Sequence, residues 1–280
     1  MRTQLLCLLT LCALCACSPV PSNKDAGPTD SGSGEIFFKV TGTAKVHPIA
    51  VGFLADAGNP ASIVGLTLRV EEPLKVALSQ PAGVFSTQVL DAGGAFEAVN
   101  ISQLDVSLAV AAGIFDGADA GRVVRSATIL YDVSLQGGQP THDITGTAFA
   151  VPTAFHDKLT QTISAAKIHA VTKDTDAGTL IEAGFILGRV IDGSGKPVAG
   201  QTITPSPSSL QGGFFYPTDD LNSLGTATGT NGLFIYVHNG GDVNQFSFSV
   251  TGATAYKKRN AGATHDACLV VDIYPGTTAP

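Results

Sequence analysis

Short runs of alternating apolar side chains, each closed by Gly, Asp or Pro, recur from Phe37 to Tyr274. Strict alternation places every second side chain on one face, the pattern of a half-buried strand. The runs Phe37 to Val46, Gly65 to Val70, Ala95 to Val99, Asp105 to Val110 and Ile144 to Val151 read this way, and residues 122–135 hold one long strand or two. The pattern returns at Phe185 to Ile191, Val198 to Thr204, Leu233 to Val237, Gln245 to Val250 and Cys268 to Tyr274. Five Asp-Ala-Gly triplets, starting at Asp25, Asp56, Asp91, Asp119 and Asp176, read as turns: Asp bonds its own downstream backbone and Gly accepts positive φ. Many short strands with turn signals at this spacing predict a sandwich.

One stretch departs from alternation. Between Thr153 and Ala170, Phe155, Leu159 and Ile163 recur at helical spacing behind Pro152, which predicts an amphipathic helix with His156 and His169 partly exposed on it. The predicted class is all-β: two small antiparallel β-sandwich domains with one short amphipathic helix between them. The predicted boundaries are a β-sandwich domain at 35–150, a helix and linker at 151–183, and a second β-sandwich domain at 184–280.

The C-terminal segment carries Gly188-Arg189-Val190-Ile191-Asp192, Gly195-Lys196-Pro197-Val198-Ala199-Gly200 and Thr226-Ala227-Thr228-Gly229-Thr230-Asn231-Gly232-Leu233-Phe234. This resembles the carboxypeptidase regulatory-like domain, a small transthyretin-type sandwich with a G-x-V-x-D strand, a G-x-P-V-x-G turn and a T-x-T-D-x-x-G-x-F hairpin. Gly229 stands where that family has Asp, and Gln201 replaces the usual Ala. The N-terminal half echoes the pattern as a degenerate second copy. Gly65-Leu66-Thr67-Leu68 parallels Gly200-Gln201-Thr202-Ile203, Gln88 to Phe96 parallels Thr226 to Phe234, and Val106 to Leu108 parallels Phe246 to Phe248. Chance matching of Gly and Phe is the competing explanation.

The N-terminus reads as an export signal over 1–16. Arg2 gives a positive n-region, and Leu5 to Leu14 an apolar run too short for a bilayer span. Leu14-Cys15-Ala16-Cys17 resembles a bacterial lipobox, which implies cleavage before Cys17 and lipidation of its thiol. Several acyl chains give stable anchoring. Residues 18–34 are polar apart from Val20, so 17–34 is expected to be a lipidated Cys and flexible tether. Ser18, with no Asp there, resembles the sorting pattern of outer-membrane lipoproteins. The expected localisation is the cell envelope, lipid-anchored at the outer membrane, with the membrane as partner through the N-terminal lipid.

Without Arg2 the chain carries 15 basic against 23 acidic residues, a net of −8. No basic patch is visible, so nucleic acid is not an expected partner. Cys268, the one Cys left beyond Cys17, lies in an apolar run and reads as a buried hydrophobe, with a reactive thiol as the alternative. Serine elbows, His-Glu-x-x-His sites and phosphate loops are absent from the sequence, the Asp-Ala-Gly triplets lack the ligand density of calcium sites, and no catalytic residue, metal or cofactor is expected. The neighbours His142-Asp143, His156-Asp157 and His265-Asp266 are not expected to act as pairs. One segment, Gly212-Gly213-Phe214-Phe215-Tyr216-Pro217, offers a candidate ligand site: Phe214, Phe215 and Tyr216 grip a sugar or protein if exposed, or fold back over an open sheet face. The expected role is a membrane-anchored, non-enzymatic structural, adhesion or protein-interaction module. A carbohydrate- or peptidoglycan-binding module of an envelope complex is the alternative.

Overall fold

The computed structural model describes residues 34–56, 61–117, 121–172, 177–240 and 244–280, and Cys17 with its tether lies outside them. Glu35 to Pro280 form one compact unit. The chain is all-β in class. Its first half holds β1 (Phe37–Val46), β2 (Thr67–Glu71), β3 (Val84–Val89), β4 (Ala95–Ser102), β5 (Ala109–Phe115), β6 (Val123–Val124), β7 (Ser126–Asp132) and β8 (Ile144–Pro152). The second holds β9 (Phe185–Val190), β10 (Ile203–Ser206), β11 (Phe214–Pro217), β12 (Leu224–Gly225), β13 (Leu233–Val237), β14 (Asn244–Val250), β15 (Arg259–Ala263) and β16 (Cys268–Ile273).

Each half is a sandwich, and the two are built alike. In the first, β1 lies between antiparallel β4 and parallel β8, facing the antiparallel set β2-β5-β7. In the second, β9 lies between antiparallel β13 and parallel β16, facing the antiparallel set β10-β14-β15. The likeness extends to single bonds. Ala44 N–H donates to Gly94 O, and Val190 N–H to Gly232 O. Gly65 N–H donates to Leu90 O while Leu90 N–H donates to Leu66 O; Gly200, Thr228 and Gln201 repeat both bonds. Gly42 faces the Phe96 ring across the β1–β4 ladder, and Gly188 faces the Phe234 ring across β9–β13. Gly is needed at both places, because a Cβ would overlap the ring. The third sequence parallel does not hold: Val106 to Leu108 precede β5, whereas Phe246 to Phe248 lie inside β14.

Two features differ from a plain pair of antiparallel sandwiches. The first and last strands of each half pair in parallel. The halves also join edge to edge, because β7 pairs with β16 in parallel at Cys268↔Ser126, Leu269↔Ala127 and Val270↔Thr128. The result is one nine-stranded sheet, β12-β11-β13-β9-β16-β7-β5-β2-β3.

Among the described residues six helices complete the unit: α1 (Pro48–Asp56), α2 (Pro73–Ala77), α3 (Val133–Gln136), α4 (Thr153–Ile163), α5 (Ala165–Thr172) and α6 (Leu180–Ala183). The predicted helix is thus two, broken at Ser164 with φ 77°. Its stripe of Phe155, Leu159 and Ile163 is buried, with Ile168 and Leu180, against Phe185, Leu187, Leu233, Ile235 and Val237. This layer covers the outer face of β9 and β13, and the β10-β14-β15 sheet covers the other. Both faces being buried explains why these strands read as continuous apolar runs. No helix among the described residues is long and apolar enough to cross a membrane.

Candidate functional site

The three aromatics singled out in the sequence belong to β11, not to an exposed loop. Phe214 and Tyr216 are 8% and 7% exposed. Phe214 packs 4.9 Å from the Tyr236 ring, and Ile203 N–H donates to the Tyr216 hydroxyl at 2.7 Å. Phe215 points the other way, onto the helical layer. The rings thus complete the core, and Phe214 and Tyr216 are not presented to a ligand.

The histidines are also placed by packing. His156 is buried, not partly exposed. Its Nε2 accepts from Ile181 N–H at 3.1 Å, so its Nδ1 carries the proton and donates to Asp157 at 2.9 Å. Sequence neighbours on a helix meet here, where neighbours on a strand would not. Burial lowers the His156 pKa, against the pull of Asp157 and Glu182. His47 is 0% exposed and lies between Phe149 and Phe155, with ring centroids at 5.6 and 5.9 Å. Neither ring nitrogen has a hydrogen-bond partner among the described residues, and burial, with the charge of Arg189, holds its pKa well below the usual value. Among the described residues, no three His, Cys, Asp or Glu side chains form a metal-binding group.

The departure at Gly229 has a structural counterpart. The Asp219 carboxylate reaches across to this turn and accepts from Thr230 N–H at 3.0 Å, Thr230 Oγ1 at 2.8 Å and Asn231 N–H at 3.0 Å. A Cβ at Gly229 would lie 2.9 Å from Asp219 Cγ. Partial burial pushes the Asp219 carboxyl up, but the Asn231 and Thr230 bonds outweigh it and hold it below the ordinary value.

A groove of about 240 Å³ lies where the halves join. Its first wall is α2, which presents Leu74, Val76 and Ala77. Glu72 caps that helix: one carboxylate oxygen accepts from Lys75 N–H at 2.6 Å, and the other from Leu108 N–H at 2.9 Å and Ala109 N–H at 3.4 Å. The cap therefore ties α2 to β5. The floor is Ala127, Ile129 and Leu269 at the β7–β16 seam, and the far wall is β15. The preceding residue, Glu71, lines the groove and is 4% exposed. Unlike Glu72, it accepts no hydrogen bond among the described residues. Its carboxyl lies over Gly113, where any Cβ would meet Oε1 at 2.9 Å. Burial pushes its pKa up, while Arg125 and then Arg69 pull it down. Nothing local in the sequence marks this site, because its residues come from 71–79, 108–132, Phe185 and 245–269.

No family model matches the chain, and no curated protein matches its sequence. Among solved structures, 86% of the chain aligns with 34% of the Bacillus anthracis TIE protein at 7% identity and a TM-score of 0.23. The chain therefore spans about a third of that protein's length. The shaft pilin SpaA from Lactobacillus rhamnosus GG is aligned over 100% of its chain and 87% of this one, at 9% identity and a TM-score of 0.23. A streptococcal ancillary pilin is aligned over 64% of its chain and 89% of this one, at 13% identity and a TM-score of 0.21. Scores at this level establish neither a shared architecture nor a shared role.

Proposed function

We propose that this protein is a lipid-anchored module of the cell envelope, held by Cys17 and displaying a rigid two-sandwich body for structural, adhesive or protein-interaction work. The observation that carries this reading is the position of the compact unit. It begins at Glu35, directly after the polar stretch that follows Cys17. An anchor, a solvated spacer and a folded body are the parts a displayed module needs. The body itself supports the reading through continuity, since a single sheet runs through both halves. The glycan alternative has less support, since its candidate rings Phe214 and Tyr216 are buried in the core and Phe215 lies half-buried on the helical layer. Cys17→Ser tests the proposal by fractionation of cells. Wild type should sediment with membranes and take up labelled palmitate, and the variant should do neither. A variant that still sediments with membranes and takes up label would overturn it.

A further inference from the structure

The outer face of the β4–β1 pair carries a cluster of exposed apolar side chains. Phe38 and Ala98 point into the core, so Phe37 and Val99, each one residue away, point to the opposite face. They are 57% and 55% exposed. Phe37 pairs with Ser102, and Ile36 O accepts from Gln103 N–H, which sets the exposed Ile36 against the 3₁₀ turn Gln103–Asp105. Leu104 stands on that turn at 69% exposure. The turn is fixed from the same side: Ser102 Oγ accepts from Leu104 N–H at 3.1 Å and donates to the Glu35 carboxylate. Apolar side chains exposed singly need no explanation, but a group of them at one end of a sheet marks an interaction surface.

The path of the chain and the charges around the patch point to its partner. Glu35 opens the compact unit, so the patch begins at the second residue of the folded body. Residues 18–34 join it to Cys17. Fully extended, that stretch spans at most about 60 Å. A lipid on Cys17 therefore keeps the patch near the bilayer at high effective concentration, where an apolar contact too weak to hold a free protein is populated. The basic groups at the border are already engaged: Lys39 pairs with Asp143 at 3.8 Å and Lys75 with Asp105 at 3.6 Å. Glu35 and Glu97 are exposed acids. Such a rim does not attract an acidic partner or anionic headgroups, and it tolerates zwitterionic lipid.

We propose that Ile36, Phe37, Val99 and Leu104 insert into the surface of the bilayer that holds the anchor, so that the body rests on the membrane by the end at which the chain enters it. The partner is a zwitterionic lipid interface, and the contact is apolar. The proposal deepens the anchored-module reading and rests on Cys17 carrying lipid.

The test uses the absence of Trp from the sequence. Leu104→Trp makes this position the single indole of the lipidated protein, taken from membranes and reconstituted in phosphatidylcholine vesicles. Its emission should shift to the blue and lose at least about half its intensity when part of the lipid carries a doxyl quencher, since an interfacial group sits roughly 5–10 Å into the headgroup and acyl boundary. Val89→Trp, on β3, should show neither change. Adding Phe37→Ser and Val99→Ser to Leu104→Trp should remove most of the quenching and leave Tm nearly unchanged, because both side chains already face solvent. High salt should leave the quenching in place. Protein that fails to float with the vesicles would overturn the anchor and this proposal with it. Protein that floats while Leu104→Trp stays unshifted and unquenched would overturn this proposal alone. A blue-shifted but unquenched Leu104→Trp, which would mean that a protein surface covers the face, or quenching lost in high salt, would overturn it as well.

Discussion

At the scale of single residues, the clearest consequences come from groups that burial has deprived of partners. Protonation of His47 is disfavoured in the folded protein, because burial and then the Arg189 charge both oppose it. In the unfolded chain it titrates near its ordinary value. The unfolded state therefore binds more protons as pH falls below about 6.5. Stability from this residue is complete above that pH and is lost on acidification, and His156 adds in the same direction. Glu71, with its raised pKa, has the opposite sign at more acid pH. Melting temperatures measured from pH 7.5 to 5 should fall for the wild type and fall less for His47→Leu; parallel curves would contradict this. Cys268 gives a second residue-level expectation. Burial pushes its thiol up, so a thiol-specific reagent should leave it untouched in native protein and modify it only on unfolding. The apolar run around Cys268 already pointed to this burial. The isolation of His47 was not legible, because the rings around it come from Phe149 and Phe155.

At the scale of elements, the glycine–phenylalanine pairs carry the most specific expectation. Gly188→Ala would push into the Phe234 ring and Gly42→Ala into the Phe96 ring and a neighbouring backbone oxygen. Each should cost at least about 2 kcal/mol, read as a lower urea midpoint. Pairing Gly188→Ala with Phe234→Leu should recover part of that loss, and a double variant no better than additive would contradict the pairing. The cap on α2 makes a parallel case. Glu72→Ala removes the acceptor of three backbone N–H groups and should cost about 2–4 kcal/mol, with faster hydrogen exchange at Lys75, Leu108 and Ala109. Much of this level was readable in the sequence. Alternation located most strands, and the spacing of Gly94 and Phe96 against Gly232 and Phe234 anticipated the shared hairpin geometry. The helix α1 was not readable, since its run Ile49 to Leu54 is apolar almost throughout and shows no stripe. Strand β11 was missed for a related reason. Its rings fill both faces, so the alternation that marks a half-exposed strand is absent.

At the scale of the whole molecule, the decisive contact is the seam between the halves. The β7–β16 ladder spans residues 126–128 and 268–270 and has no local sequence signal. It is reinforced by Arg189, which binds Asp272 at 2.8 Å and lies 5.3 Å from the Phe149 ring of the other half. A shared sheet and a shared helical layer should make the two halves unfold together. Hydrogen exchange in mild denaturant should show β5 and β13 opening in one step, whereas two separated steps would mean independently folding sandwiches. The same seam forms the floor of the groove beside Glu71, so the join that gives continuity also creates a cavity. The proposed anchoring in the envelope rests on Cys17. The direct measurement is the intact mass of the protein extracted from membranes, with fragmentation of its N-terminal peptide. A chain that begins at Cys17 and carries diacylglycerol on the thiol is the predicted result. A chain that retains Met1, or begins elsewhere with a free Cys17 thiol, would contradict the account.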